Sequence, residues 1–449
     1  MPFNKILVAN RGEIAVRIMR ACKEMGIRTV AVYSKADADS MHVHYADEAK
    51  CIGPNARSES YLNLLNIISA ADITDVDAIH PGTGFLAEMP HFAEACKDHN
   101  ITFIGPSAEN IETMGDKVKA RQVMSKAGLK PIPGSKGIVR DEKSALKIAY
   151  RLGYPVIIKS VGGGGGLGIR EAHNDASLVN SFRLVQGEAK AAFGRSEVYI
   201  EKLLEQARHI EFQILADTHG NVIHLGEREC SIQRRNQKLI EESPCSILEP
   251  KVREDVGKAV VRAVRSTKYS NAGTVEFLMD TDGKFYFMEM NTRIQVEHTV
   301  TEAVTGLDLI KEQIRLAAGE RLGYRQSDIP LSGHAIECRI NAEDPEKNFM
   351  PSPGIITEFH TPGGPGVRVD SHIYTGYKIP PIYDSLLAKL ITHGKTRDEA
   401  ISRTRRALSE FIVGGVKTTI PFHKKVMEDE RFLHGDVHVD FLNSFHMSE

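Results

Sequence analysis

Tryptophan is absent from this chain, and no apolar run approaches the roughly 18 residues that a membrane-spanning helix needs. Neither sign of charge dominates: 57 lysines and arginines face 59 aspartates and glutamates, a formal net charge of −2. No basic run exceeds a few residues, so the chain shows no electrostatic footprint for nucleic acid or an anionic membrane. Cysteine is sparse. Cys22, Cys51, Cys96, Cys230, Cys245 and Cys338 are scattered, without the close pairs of zinc sites and redox motifs. Reduced thiols in a cytoplasmic protein are the expectation. The start, Met1 to Val8, has no apolar signal-peptide segment and leads straight into a strand. Two common nucleotide loops are also missing. G-x-x-x-x-G-K-[ST] occurs nowhere, and the first turn, Asn10-Arg11-Gly12-Glu13, is not G-x-G-x-x-G.

What remains is an ordinary globular composition, 41% apolar and 26% charged over 449 residues. That length suits about two to four domains. The N-terminal part alternates strands (Lys5–Ala9, Thr29–Tyr33, Asp77–Ile79, Ile101–Ile104) with helical periodicity, first in Ile14, Ile18, Met19, Cys22 and Met25. This pattern predicts a parallel sheet. A linker, Lys130–Gly134, precedes a smaller unit: a helix from Glu142 to Leu152, a strand Pro155–Lys159, a glycine run Gly162–Gly166 with Gly168, a helix and a strand Val198–Glu201. A larger mixed region follows from about Leu204. Near its end Thr396 and Glu399 form a capping box before a helix with Ile401, Thr404, Leu408, Phe411 and Ile412 inward.

Two acids stand out. Thr274–Met279 and Lys284–Met290 read as a hairpin, with Asp282-Gly283 as a two-residue loop. That register puts Glu276 opposite Glu289. Like charges so placed are destabilising, unless a divalent cation makes them a ligand set, and hard oxygen donors suit Mg²⁺ or Mn²⁺. A slipped register with both acids in water is the alternative. After Glu289 every second residue is polar (Asn291, Arg293, Gln295, Glu297), so an extended chain would present them on one face. We read that face as catalytic.

A glycine run lets backbone N–H groups approach a polyphosphate closely, and Lys159 just before it can reach the same phosphates. Alone, the run could equally be a hinge; beside the paired acids it reads as a lid over ATP. Val198–Leu204 has the texture of an adenine wall, with the backbone of Glu201 to Leu204 free for the base edge. The polar stretch from Arg208 through Gln213 to Glu227–Lys238 could be a solvated basic stripe, and Arg339 could be a structural ion-pair partner.

Together these motifs resemble biotin carboxylase, the ATP-grasp component of biotin-dependent carboxylases. The resemblance spans nearly the whole chain: Val8–Ala15, His80-Pro81-Gly82, Met114–Lys117, Gly162–Gly168, Arg208–Glu211, Glu289–His298, Glu337–Glu343 and Pro351–Gly354. It implies a multidomain α/β and α+β fold: an N-terminal α/β domain (1–114), an ATP-grasp region (115–334) with a glycine-rich lid over about 131–203, and a C-terminal domain (335–449). By the same resemblance Lys117, Lys159, Gly164, Gly165, Gly166 and His209 contact ATP. Glu201, Lys202, Leu204 and Leu278 border the nucleotide, with Gln233 near the ribose. Glu276, Glu289 and Asn291 hold Mg²⁺ or Mn²⁺, and Glu276 also counts toward the nucleotide site. Lys238 faces the γ-phosphate; Arg293, Gln295 and Val296 hold bicarbonate; Glu297 is the general base; Arg339 stabilises the biotin enolate.

The implied reaction is ATP-dependent carboxylation of biotin through carboxyphosphate, the first half-reaction of acetyl-CoA carboxylase in fatty acid synthesis. Service to a pyruvate or other acyl-CoA carboxylase is a variant of it. The competing readings are another ATP-grasp carboxylate–amine ligase and a non-catalytic nucleotide-binding regulatory subunit. No Met-Lys-Met biotinylation site occurs, so a biotin carboxyl carrier protein and a carboxyltransferase acting in trans are expected, as is a homodimer. Four positions depart from the family pattern: Thr83 and Ile382 replace aromatics, Leu167 a basic residue and Asn236 a histidine. The changes at Thr83 and Leu167 imply weaker closure or weaker biotin binding. Thr83→Tyr and Leu167→Arg are each expected to lower the apparent KM for free biotin in a bicarbonate-dependent ATPase assay; unchanged values in both would remove the idea.

Overall fold

The structure is a computed structural model that describes residues 3–160, 168–193 and 196–447. The alternating N-terminal pattern folds as expected into a parallel five-stranded sheet, in the order Glu48–Gly53, Arg28–Ser34, Lys5–Val8, Ala78–His80, Thr102–Phe103. Ile6, Leu7 and Val8 are fully buried, because helices cover both faces of such a sheet. The smaller unit is a three-stranded sheet (Ile169–Ala172, Val156–Ser160, Val198–Lys202) backed by helices Glu142–Leu152 and Asp175–Phe193. The glycines at 162–166, and Leu167, lie outside the described residues.

An antiparallel sheet of eight strands forms the rest of the frame. Its order is Phe285–Asn291, Asn271–Met279, Arg208–Ala216, Val222–Arg234, Gln237–Ser243, His334–Asn341, Leu386–Gly394 and Val367–Ser371. Every residue of Arg208–Ala216 is buried, and period-2 alternation explains how polar residues can be among them. Ile210, Phe212, Ile214 and Ala216 pack into an apolar cluster with helix Pro250–Ser266. His209, Glu211 and Gln213 take the other face, where the site lies.

One helical expectation fails at its end. The helix Arg397–Glu410 is capped by Thr396, whose side chain accepts from the Glu399 N–H, but it stops before Ile412. That residue enters a short strand, Ile412–Gly414, and is 42% exposed. Pairing with Glu358–His360 supplies backbone partners that outweigh one more helical residue. Among the described residues no helix is long and apolar enough to cross a membrane.

The N-terminal sheet is tied to the C-terminal part through Arg11. Its guanidinium makes a two-pronged contact with Asp37, 2.7 Å at each oxygen, and lies 4.3 Å over the ring of Tyr383. Asp37 also accepts from Tyr61 and Ser40. Burial alone would raise the Asp37 carboxyl; Arg11 and Tyr61 overcome it and bring the value down to about 2. A depressed carboxylate contributes stability that is present above its unfolded value of 3.8 and lost as pH falls through about 2. Asp37→Asn should lower the unfolding free energy by about 3–5 kcal/mol near neutral pH. Denaturant titration should show that gap narrowing below pH 4.

Candidate active site

The Glu276–Glu289 opposition is present, but the hairpin reaches it by another route. The loop is three residues, Thr281–Gly283: the Asp280 N–H donates to the Lys284 carbonyl at 3.0 Å, and Gly283 has φ +76°. Such a loop with a left-handed glycine is the next commonest hairpin closure. It shifts the pairing by one, so Met279 faces Phe285 and Phe277 faces Phe287. Met288 then bulges out of the ladder, and Glu276 pairs with Glu289. Without the bulge Glu289 would share the face of Phe287, which is buried in the apolar cluster. The segment after Asn291 is not extended as expected. The strand ends there, and residues 292–297 form bends and a turn leading into helix His298–Thr305. Asn291, Arg293, Gln295 and Glu297 still line one cavity of about 980 Å³.

At the floor of this cavity, carboxylates crowd together and cations bind them. Lys238 is 3.0 Å from Glu276 and 2.6 Å from Glu297, and also contacts Glu211. Burial works against its charge, but the carboxylates carry its pKa well above the ordinary lysine value. Burial likewise opposes ionisation of Glu276 and Glu297. Lys238 and His209 nevertheless hold Glu276 well below the usual carboxyl range, and Lys238 and Arg339 lower Glu297. Both stay ionised at neutral pH. Arg339 bridges Glu297 (2.8 Å) and Glu241 (2.6 Å). Burial and the charge of Glu297 push the Glu241 carboxyl up to about 7.

Beneath them lies Arg228, fully buried. Its five N–H donors all find acceptors: Glu211 at 2.6 Å, Gln213 at 2.7 Å, Thr301 at 2.9 Å, Thr274 at 3.1 Å and Gln295 at 3.0 Å. With Oε1 of Gln295 so engaged, its amide nitrogen is turned outward and donates to Glu276 at 2.6 Å. Sequence reasoning passed over Arg228 and Glu211 as parts of a polar stretch. The available signal was the alternation Arg208-His209-Ile210-Glu211-Phe212-Gln213, which marks a strand with one polar buried face.

The remaining sequence-predicted residues, apart from Gly164, Gly165 and Gly166, which lie outside the described residues, also line the cavity. Lys117 stands 3.5 Å from Glu289, and Lys159 lies 2.7 Å from Glu201. Burial, with Lys117 and Arg121 nearby, lowers Lys159 to about 7, against the pull of Glu289. Arg121 is a second partner of Glu201. His209 sits 3.1 Å from Glu276; burial opposes its charge, yet the carboxylates raise it to about 9. Gln233, Leu204 and Leu278 are wall residues. The backbone expected to be free for a base edge is partly taken: Lys202 N–H donates to Pro133, Leu203 N–H to Pro155, and the Lys202 ammonium to Tyr154 at 2.9 Å. Arg293 pairs with Glu88 at 3.0 Å and donates to Asn291 at 3.2 Å. The oxygen donors of Glu276, Glu289 and Asn291 suit Mg²⁺ or Mn²⁺.

Two of the four departures have a local account. Asn236 sits with Arg235 in a two-residue turn, φ 64° and 49°, a conformation that asparagine tolerates well. The Ile382 side chain is 41% exposed while its carbonyl accepts from Arg57 at 2.8 Å. Thr83 lines the cavity, and its carbonyl accepts from Asn10.

Comparison with known proteins places the chain. The biotin carboxylase N-terminal domain family matches residues 2–111, the carbamoyl-phosphate synthase L chain ATP-binding domain 116–325, and the biotin carboxylase C-terminal domain 337–444. Biotin carboxylase 1 of Bacillus subtilis is 59% identical over 442 residues, 98% of each chain. A pyruvate carboxylase subunit of Methanothermobacter thermautotrophicus is 56% identical over 99% of this chain and 90% of its own. Among solved structures, the biotin carboxylase domain dimer of Hydrogenobacter thermophilus 2-oxoglutarate carboxylase, with MgADP, ADP and bicarbonate, superposes with TM-score 0.96 at 52% identity. That match covers 98% of this chain and 97% of the other.

Arg228 offers the sharpest test of how the floor is held. Arg228→Met would leave Glu211 with Lys238 and His209 as its close cations and free the Gln295 amide. Unfolding free energy should fall by about 3–5 kcal/mol, read by denaturant titration; a loss below about 1 kcal/mol would show that the floor stands without it.

Proposed function

The chain belongs to the biotin carboxylase family and is an ATP-dependent ligase; we propose that it carboxylates biotin borne on a separate carrier protein, as the first half-reaction of an acetyl-CoA carboxylase. The observation that carries the residue assignment is the position of Glu297, gripped between Lys238 and Arg339 at 2.6 and 2.8 Å. A carboxylate held ionised there is placed to take the proton of bicarbonate, while Arg293, Gln295 and Val296 hold the anion. The freed oxygen attacks the γ-phosphorus of ATP and ADP leaves. Lys238 lies where charge spreads over the transferring phosphoryl group. A divalent cation held by Glu276 and Glu289, with Asn291 beside them, would supply further neutralisation of the phosphates. The lid excludes water from the carboxyphosphate. Its breakdown gives CO₂ and phosphate; the phosphate takes the ureido N–H proton, and Arg339 stabilises the enolate oxygen.

The same reading divides the chain at 114/115 and 334/335, with the lid over about 131–203, and the spans of the three family matches support it. It includes a homodimer, supported by the dimeric 2-oxoglutarate carboxylase domain, and a carrier and carboxyltransferase in trans. Six free thiols suit residence in the cytoplasm. A second reading, service to a pyruvate or other 2-oxo acid carboxylase, is favoured by the 56% identity to the Methanothermobacter pyruvate carboxylase protein. Reconstitution with each carrier and carboxyltransferase distinguishes the two.

ATP cleavage by the purified chain with Mg²⁺ should require bicarbonate and be stimulated by free biotin. Glu297→Gln should lower that rate by about 10²-fold or more with ADP affinity retained. Cleavage indifferent to bicarbonate would sink the assignment and favour another ATP-grasp ligase.

A further inference from the structure

Between the hairpin and helix His298–Thr305, the turn Gln295–Val296–Glu297 has its carbonyls drawn to one side. The Gln295 carbonyl accepts from the His298 ring Nδ1 at 2.8 Å and from the His298 N–H at 3.3 Å. The Val296 carbonyl accepts from Lys389 Nζ at 2.9 Å. In a trans peptide C=O and N–H point in opposite directions. Fixing these two carbonyls therefore turns the N–H groups of Val296 and Glu297 the other way, toward the cavity that Gln295, Val296 and Glu297 line. Among the described residues neither N–H donates to a protein acceptor. Two adjacent N–H groups so aimed make an anion-binding concavity.

Lys389 is an unusual residue to find behind it. It lies in the apolar strand Leu386–Gly394, its side chain has no exposure, and its ammonium is 3.2 Å from Glu13 in the first helix. Burial weighs against its charge, but Glu13, Glu337 and Asp370 carry its pKa above the ordinary value. An apolar side chain of similar length would fill the space without a buried charge. What the ammonium adds beyond its pairing with these carboxylates is a grip on one backbone oxygen, that of Val296.

We propose that Lys389 is a positioning residue for bicarbonate: through the Val296 carbonyl it aims the Glu297 N–H at the anion, and Glu13 keeps its ammonium in place. This rests on the reading that Arg293, Gln295 and Val296 hold bicarbonate, and extends it to residues of the first helix and the C-terminal sheet that do not touch substrate.

The test uses the full chain, free biotin and Mg²⁺, with Lys389→Met and the double variant Glu13→Gln/Lys389→Met. The double variant removes both charges together and leaves Asp370 paired with Arg368 and Glu337 hydrogen-bonded by Thr299. Both should raise the KM for bicarbonate about tenfold, with the KM for ATP and the ADP affinity by calorimetry within twofold of wild type. A bicarbonate KM within twofold of wild type would overturn the proposal. So would a parallel rise in the KM for ATP, or failure of both variants to give a cooperative thermal transition, since each marks Lys389 as merely structural. If the wild-type chain itself shows no bicarbonate-dependent turnover, the functional reading falls first and takes this one with it.

Discussion

Three almost fully buried carboxylates, Glu211, Glu276 and Glu297, meet on the floor of one cavity, each at most 4% exposed. Leaving a charge of that kind unpaired typically costs several kcal/mol, so the surrounding cations are a condition of folding as much as of chemistry. Lys238 touches all three, Arg228 and His209 take up Glu211 and Glu276, and Arg339 completes Glu297. The outward turn of the Gln295 amide follows from the same demand, because Arg228 needs a fifth acceptor. Structural and reactive roles are therefore hard to separate here: the groups that neutralise the floor are the groups a phosphoryl transfer would use.

Such a floor is poised before any substrate arrives. Donors and charges already aimed at the place where new charge will form avoid reorganisation during the reaction, usually the largest single contribution to an enzyme's rate. There is a compromise in it. Cations that keep Glu297 ionised also make it a weaker base, so proton removal must be helped by whatever stabilises the resulting anion. Val296, Glu297 and Arg293 line the same cavity, where on the proposed reading their N–H groups and guanidinium would share that work.

How far the sequence could be read depends on the kind of interaction. The parallel N-terminal sheet was legible because its strands are short apolar runs between amphipathic helices. The opposition of Glu276 and Glu289 was also legible, yet through two shifts that cancel: a loop one residue longer than expected and a bulge at Met288. The alternation from Asn291 to Glu297 marked residues that do share a cavity, but the backbone there turns, since helix His298–Thr305 begins at once and its first carbonyl partners hold the chain bent. Arg228 and Lys389 were beyond reach. Their acceptors come from strands and helices distant in sequence; a lone basic residue within an apolar run hinted at Lys389, and only the polar alternation of the neighbouring strand Arg208–Ala216 hinted at Arg228. The lid glycines fall outside the described residues, so their expected contact with phosphates stands on the glycine run itself and on the resemblance.

The sheet that carries the floor runs unbroken from the Glu276 hairpin, through Lys238 in Gln237–Ser243, to Arg339 in His334–Asn341. Lys238 and Arg339 stand on neighbouring strands about 4.8 Å apart, laced by main-chain hydrogen bonds. The two halves of the chain thus behave as one stiff plate, and whatever hinge the molecule has must leave the interval between these two cations unaltered. If these two cations meet phosphate and biotin as proposed, a ruler built of peptide bonds, and not the arrival of either substrate, sets the distance between them.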